Sequence, residues 1–305
     1  MRQQAAKQLR RQGVLPWLVT VATHNRAAAA GVIGLVLIAA VAATAPVLAP
    51  YRPDAIVGRP LLSPRVSYVL GTDALGRDVL SRTLWGARSA LVGGASAIGL
   101  AAAVGVPIGA MTGFSGRVVA TVVQRVVDIG LAFPGLILAL LVIAIEGPGG
   151  ETAIVAAGVA FVPVFARLAF SLVTRVSGEE YLLAGRAVGC SRLRILVSYV
   201  GPAIVGDLAV LVSSGIGWAV LLIATLNFLG VGAQPPMPDW GADLAAGTSY
   251  LAVAWWISTA PGVCLTVLIL SANYAGEFLG DLFRAGARRG ARAGATIVPS
   301  GPAVR

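Results

Sequence analysis

Two ionisable residues, Asp128 and Arg167, fall inside long apolar runs of this sequence. A charge in lipid is costly, so such residues either pair with one another or line a solute path. Both readings are open here, because each lies near the same end of its own run, Asp128 with Arg125 just before it. A second set of charges precedes another apolar run: Asp73 with Arg77 and Asp78 with Arg82, each pair four residues apart. Asp239 and Asp243 flank Trp240 in a proline-rich stretch. These residue types suit ion pairing, docking and gating.

Other chemistry is excluded by what the chain lacks. Lys7 is the only lysine and lies outside any glycine loop, so there is no G-x-x-x-x-G-K phosphate-binding loop. His24 is the only histidine, which removes H-E-x-x-H metal sites and triads built on a buried histidine. Cys190 and Cys264 are far apart in sequence and are expected as free thiols, with no metal site.

The elements that position these residues must be membrane helices. Of 305 residues, 57% are hydrophobic and 12% charged, against about 25% charged in an ordinary soluble domain. The net charge of +10 does not indicate nucleic acid, because the basic residues cluster between apolar runs and form no stripe interleaved with aromatics. Six runs are long enough to cross a hydrocarbon core of about 30 Å. They cover 27–49, 90–111, 126–145, 153–174, 208–230 and 252–272. Each is expected to be helical, since lipid offers no partner to backbone N–H and C=O groups. The fold class read from this is an all-α integral membrane protein with about six spans. The first run is longer than a signal-peptide core and is read as a true span.

Arginine placement gives the orientation. The tail 1–26, the 112–125 loop, the 175–202 loop and the tail 278–305 carry most of the basic residues and fall on one side, which is expected to be cytoplasmic. The last tail, rich in Arg, Gly and Ala, reads as disordered beyond Phe283. Anionic lipid is its expected contact. The 50–88 segment is outer yet also basic. Thr72 to Arg88 reads as an amphipathic helix, with i,i+4 ion pairs at 73/77 and 78/82 and Thr72 or Asp73 as its cap. It serves either as a surface helix or as a lid and docking surface. The 232–250 loop, ordered by prolines, is a second expected contact with an outer partner.

The 175–202 loop is built to be ordered. Ser177 and Glu180 have capping-box spacing, so a helix is expected from Gly178. Gly189 suits a left-handed cap, Ser191 caps a second short helix, and Gly201-Pro202 stops that one. Its apolar residues either pack on span ends or form a knob for a partner.

At Glu180–Ile195, E-Y-L-L-A-G-R-A-V-G-C-S-R-L-R-I, the chain resembles the cytoplasmic "EAA" loop of ABC importer permeases. Ala184 matches the first alanine, Gly189 the glycine and Pro202 the proline; Leu183 stands where glutamate is usual and Gly185 replaces the second alanine. Glu179 or Glu180 is the expected substitute for the missing carboxylate. Three further stretches are similar to dipeptide and oligopeptide permeases of the C-subunit type: G-T-D-A-L-G-R-D-V-L-S-R (71–82), D-I-G-L-A-F-P-G (128–135) and L-N-F-L-G-V-G-A-Q-P-P-M-P-D-W-G (226–241).

The resemblance implies a type I importer permease in a bacterial plasma membrane. It implies a B-type second permease, two ATPase subunits that hold ATP and Mg, and an extracytoplasmic peptide-binding protein. This chain then binds no cofactor and catalyses nothing. The cargo implied is a dipeptide or oligopeptide, with nickel, a haem precursor or glutathione as alternatives. A secondary transporter and an intramembrane enzyme are the rival classes; the first lacks the expected inverted repeat and the second the residues.

Overall fold

The computed structural model describes residues 26–295, without the side chains of Leu183, Arg186 and 284–295. The expectations for 1–25 and 296–305 lie outside the described residues. Among the described residues, five helices are long and apolar enough to cross a membrane, and six if one bent pair is a single span. They are α1 (Arg26–Leu48), α2 (Val79–Gly113), the bent pair α3 (Arg117–Ala132) with α4 (Gly135–Glu146), α5 (Gly150–Val176), α8 (Gly201–Phe228) and α10 (Trp256–Ala295). Between them lie the short helices α6 (Glu180–Ala187), α7 (Arg192–Ile195) and α9 (Trp240–Thr248).

The third apolar run is not a straight span. Its halves meet at 94°. Phe133 is extended (φ −82°, ψ 135°) and Pro134 follows it. Proline removes a helical N–H, and its ring clashes with the carbonyl four residues back, so the helix ends before it.

The centre of the bundle is α2 packed along α5. Small residues permit this. A Cβ on Gly109 would lie 2.1 Å from the Ala166 carbonyl oxygen, and one on Gly105 would lie 2.6 Å from that of Val162. Close backbone approach replaces the hydrophobic drive that lipid does not supply between helices. Behind α2 and α5, Ile98, Ala101, Phe165, Ala219 and Ile223 form a buried cluster that brings in α8.

The last helix corrects the expected disorder beyond Phe283, because α10 runs on to Ala295. The Ala-rich composition that suggests a loose tail also has high helix propensity, and a long helix already nucleated in α10 extends at little cost.

Candidate functional site

At one end of α2 the chain builds a small projection. Ser177 does not open a capping box: it is the residue that caps the end of α5, its N–H donating to the Val173 carbonyl and its hydroxyl donating to the same carbonyl at 2.7 Å. Helix α6 therefore starts at Glu180 rather than Gly178. Gly189 turns the chain in the left-handed region (φ +86°), and Ser191 Oγ accepts the Arg194 N–H at 3.3 Å as the cap of α7. Gly201-Pro202 does not stop the chain there. Residues Leu196–Val200 form a π-turn, and the helix is continuous from Arg192 to Phe228. The wider turn leaves room for the proline ring that an α-helical ladder would reject.

The projection is fastened by apolar burial. Leu182, Ile195 and Val200 pack with Ala110, Leu172, Val173 and Val176 from the ends of α2 and α5. Tyr181, Val188, Leu193 and Val197 are left exposed. Glu179, Glu180, Ala184 and Ser191 are exposed as well, and Gly185 is half-buried.

At the other end of α2 the charged residues turn inward. The expected helix over 72–88 begins only at Val79, because Asp78 is its cap: Asp78 Oδ2 accepts from Ser81 N–H at 2.8 Å and Ser81 Oγ–H at 2.7 Å. Thr72 instead donates to the Arg59 carbonyl at 2.7 Å. Asp73 and Arg77 do pair, at 2.6 Å, but across a turn in which Asp73 also accepts the Leu75 and Arg77 N–H groups. The expected Asp78–Arg82 pair is absent. Arg82 reaches Asp243 on α9, with Nε 2.9 Å from Oδ1, and donates to the carbonyls of Pro53, Pro236 and Met237. Asp239 caps α9 by accepting Gly241 N–H at 2.8 Å, and Trp240 Nε1 donates to the Thr83 carbonyl at 2.8 Å. Asp73, Arg77, Asp78, Arg82, Asp239, Trp240 and Asp243 are all buried. Burial raises the Asp243 carboxyl above its usual 3.8, with the Arg82 guanidinium opposing that shift.

Within the apolar helices, Asp128 and Arg167 form an ion pair between α3 and α5. Spacing does not reveal two further arrangements. Arg175 pairs with Asp207 at 2.7 Å, and Gln124 is buried with neither polar atom of its amide hydrogen-bonded among the described residues.

Residues 105–288 match the family model described as a binding-protein-dependent transport system inner membrane component. The chain belongs to that family. This inner membrane component is 36% identical over 265 residues to the di/tripeptide transport system permease protein DppC of Pseudomonas aeruginosa, covering 85% of this chain and 88% of that one. It is 34% identical over 257 residues to the glutathione transport system permease protein GsiD of Pectobacterium atrosepticum, covering 84% and 85%. Its fold is shared with a chain of the inward-facing MetNI methionine ABC transporter: TM-score 0.53, 20% identity, 68% of this chain and 95% of that one. The matched region spans α5, the projection and α8, so the inner membrane component carries its projection inside the family's common core.

Proposed function

We propose that this permease imports short peptides, as one of two permease chains in an ATP-driven transporter. The 175–202 segment and both tails face the cytoplasm, as the arginine distribution favours. Two partner ATPases bind ATP and Mg there and dock on the projection. Glu179 and Glu180 supply the acidic contacts where the family's glutamate is replaced by Leu183. The 50–78 and 232–250 segments face outward and receive the peptide-loaded binding protein. In this arrangement the buried charges around Arg82 hold that surface in shape, and exposed neighbours make the contact.

The continuity of Arg192–Phe228 carries the reading. A displacement at α7 is passed directly into α8, because no loop intervenes to absorb it. Rocking of such rigid bodies opens a path alternately to each side. The names of the relatives, DppC above all, support peptides as cargo. GsiD favours glutathione, itself a small peptide derivative, as a second cargo.

The test is uptake into vesicles containing this chain, its second permease and its ATPases, with the binding protein added outside. ATP-dependent accumulation of Ala-Phe is expected. Accumulation of glutathione alone would transfer the reading to that cargo, and accumulation of neither would remove it.

A further inference from the structure

At the Arg82 end of the bundle a cavity of about 180 Å³ lies between the start of α2, α9 and the start of α10. Val79, Ile257 and Pro261 are buried and form its floor. Leu75, Pro235 and Ala246 are exposed and form its mouth. Its walls carry four buried charged side chains, Asp73, Arg77, Arg82 and Asp243.

Three of the four already have their partners. A guanidinium offers five N–H donors. Arg82 commits every nitrogen: Nε and Nη2 to Asp243, Nη1 to the carbonyls of Pro53 and Pro236, and Nη2 also to that of Met237. Asp243 is thereby matched to its cation. Asp73 accepts the Leu75 and Arg77 N–H groups at Oδ1 and Arg77 Nε at Oδ2. Arg77 differs. Its Nε is spent on Asp73, and its two Nη groups have no hydrogen-bond partner among the described residues. The side chain is only 10% exposed. Yet those groups are not sealed in, because among the described residues only Gln124 holds sealed side-chain polar atoms without a partner. The surface they keep opens on the cavity that Arg77 lines.

A free Nη fork at the wall of a mostly apolar cavity suits a carboxylate on a short apolar stem. Size decides how much of a molecule enters. An apolar protein cavity of about 150 Å³ holds one benzene, so this one admits a single side chain and not a dipeptide with both of its side chains. The carboxylate must therefore be presented by something larger. Leu75 and Pro235 at the mouth belong to the 50–78 and 232–250 segments, the two read above as receiving the binding protein. We propose that this cavity is a socket for one Glu or Asp side chain of the peptide-binding protein, its carboxylate held by the Arg77 Nη groups. The proposal rests on the import reading and adds one recessed anchor to the exposed contacts. Asp243 opposes it little, because Arg82 already neutralises that carboxylate. Losing a buried charge pair speeds dissociation, whereas losing a rim charge slows association and changes its salt dependence.

The experiment uses the assembled transporter in vesicles and the peptide-loaded binding protein purified with it. With Leu75→benzoylphenylalanine at the mouth, irradiation is expected to label the binding protein. In the labelled segment one Glu→Gln or Asp→Asn change should speed dissociation on the order of thirtyfold and leave the association rate and its salt dependence unchanged. Arg77→Lys keeps a charge beside Asp73 but loses the fork. Combined with the change on the binding protein, it should weaken binding no further than that change alone. Label in the second permease overturns the socket. So does a labelled segment in which no acid affects dissociation, or one in which the acid affects association only. These criteria need no variant of Arg77 to fold. ATP-driven uptake of Ala-Phe in the same vesicles, with the unmodified chain, separates the two readings. Uptake without an acid that controls dissociation overturns the socket alone; a binding protein that neither binds nor drives uptake overturns the import reading with it.

Discussion

Arg82 and Asp243 lie 161 residues apart in sequence and meet in a buried fork that ties the start of α2 to α9. The same guanidinium gathers the carbonyls of Pro53, Pro236 and Met237. One side chain therefore holds three separate segments of this end of the molecule. No spacing rule points to it, because its local candidate, Asp78, is occupied as a helix cap.

Removing Arg82 leaves the Asp243 carboxylate buried without its cation. Arg82→Gln is expected to cost about 3–5 kcal/mol at neutral pH. Asp243 already titrates above 3.8 because of its burial, and losing Arg82 raises it further. A raised carboxyl favours the folded state when protonated, and that contribution is lost as pH rises through the raised value. The deficit of the variant should therefore be smaller at pH near 5 than near 8. Thermal unfolding in detergent at both pH values checks it. An equal deficit at both would show that the carbonyl contacts, not the ion pair, dominate.

The α2–α5 contact gives a contrast between two glycines of one helix. Gly109→Ala places a methyl against the Ala166 carbonyl, whereas Gly99 has nothing within 4 Å of an added Cβ. Gly109→Ala should destabilise by about 1–3 kcal/mol through overpacking. Gly99→Ala should be neutral or gain up to about 1 kcal/mol from helix propensity. Comparing the melting temperatures of the two variants checks both.

Gly189 joins α6 to α7 with φ +86° in open space. Gly189→Ala meets no steric obstacle, so its cost is the backbone term alone, roughly 1–2 kcal/mol. The chain should still assemble with its partners, while peptide uptake per ATP hydrolysed falls because the projection is less firmly set. Uptake and hydrolysis measured on the same vesicles give the ratio.

The apolar runs are readable in the sequence because length and lack of charge are what a bilayer demands. The break at Pro134 is not seen when the third run is scored as a continuous hydrophobic window, although proline is the signal for it. At Ser177 the S-x-x-E spacing is present, but Val173 and Val176 continue the helix into a buried cluster, and the hydroxyl is spent on that helix's own carbonyl. At 72–82 two identical four-residue spacings give different outcomes, because the helix starts after the first pair and consumes an acid of the second. The Asp128–Arg167 pairing was one of two readings open from the residues, and the structure forms it.

The central claim is that the 177–200 projection is where the motor subunits push. Leu193 is its most direct probe, exposed at the start of the helix that continues to Phe228. With Cys190 and Cys264 replaced by serine, Leu193→Cys in the assembled transporter should be crosslinked by a short thiol reagent to an ATPase subunit. That crosslink should stop peptide uptake. Crosslinking to the binding protein instead, or to no subunit of an intact complex from Leu193, Val188 or Tyr181 alike, would contradict the account.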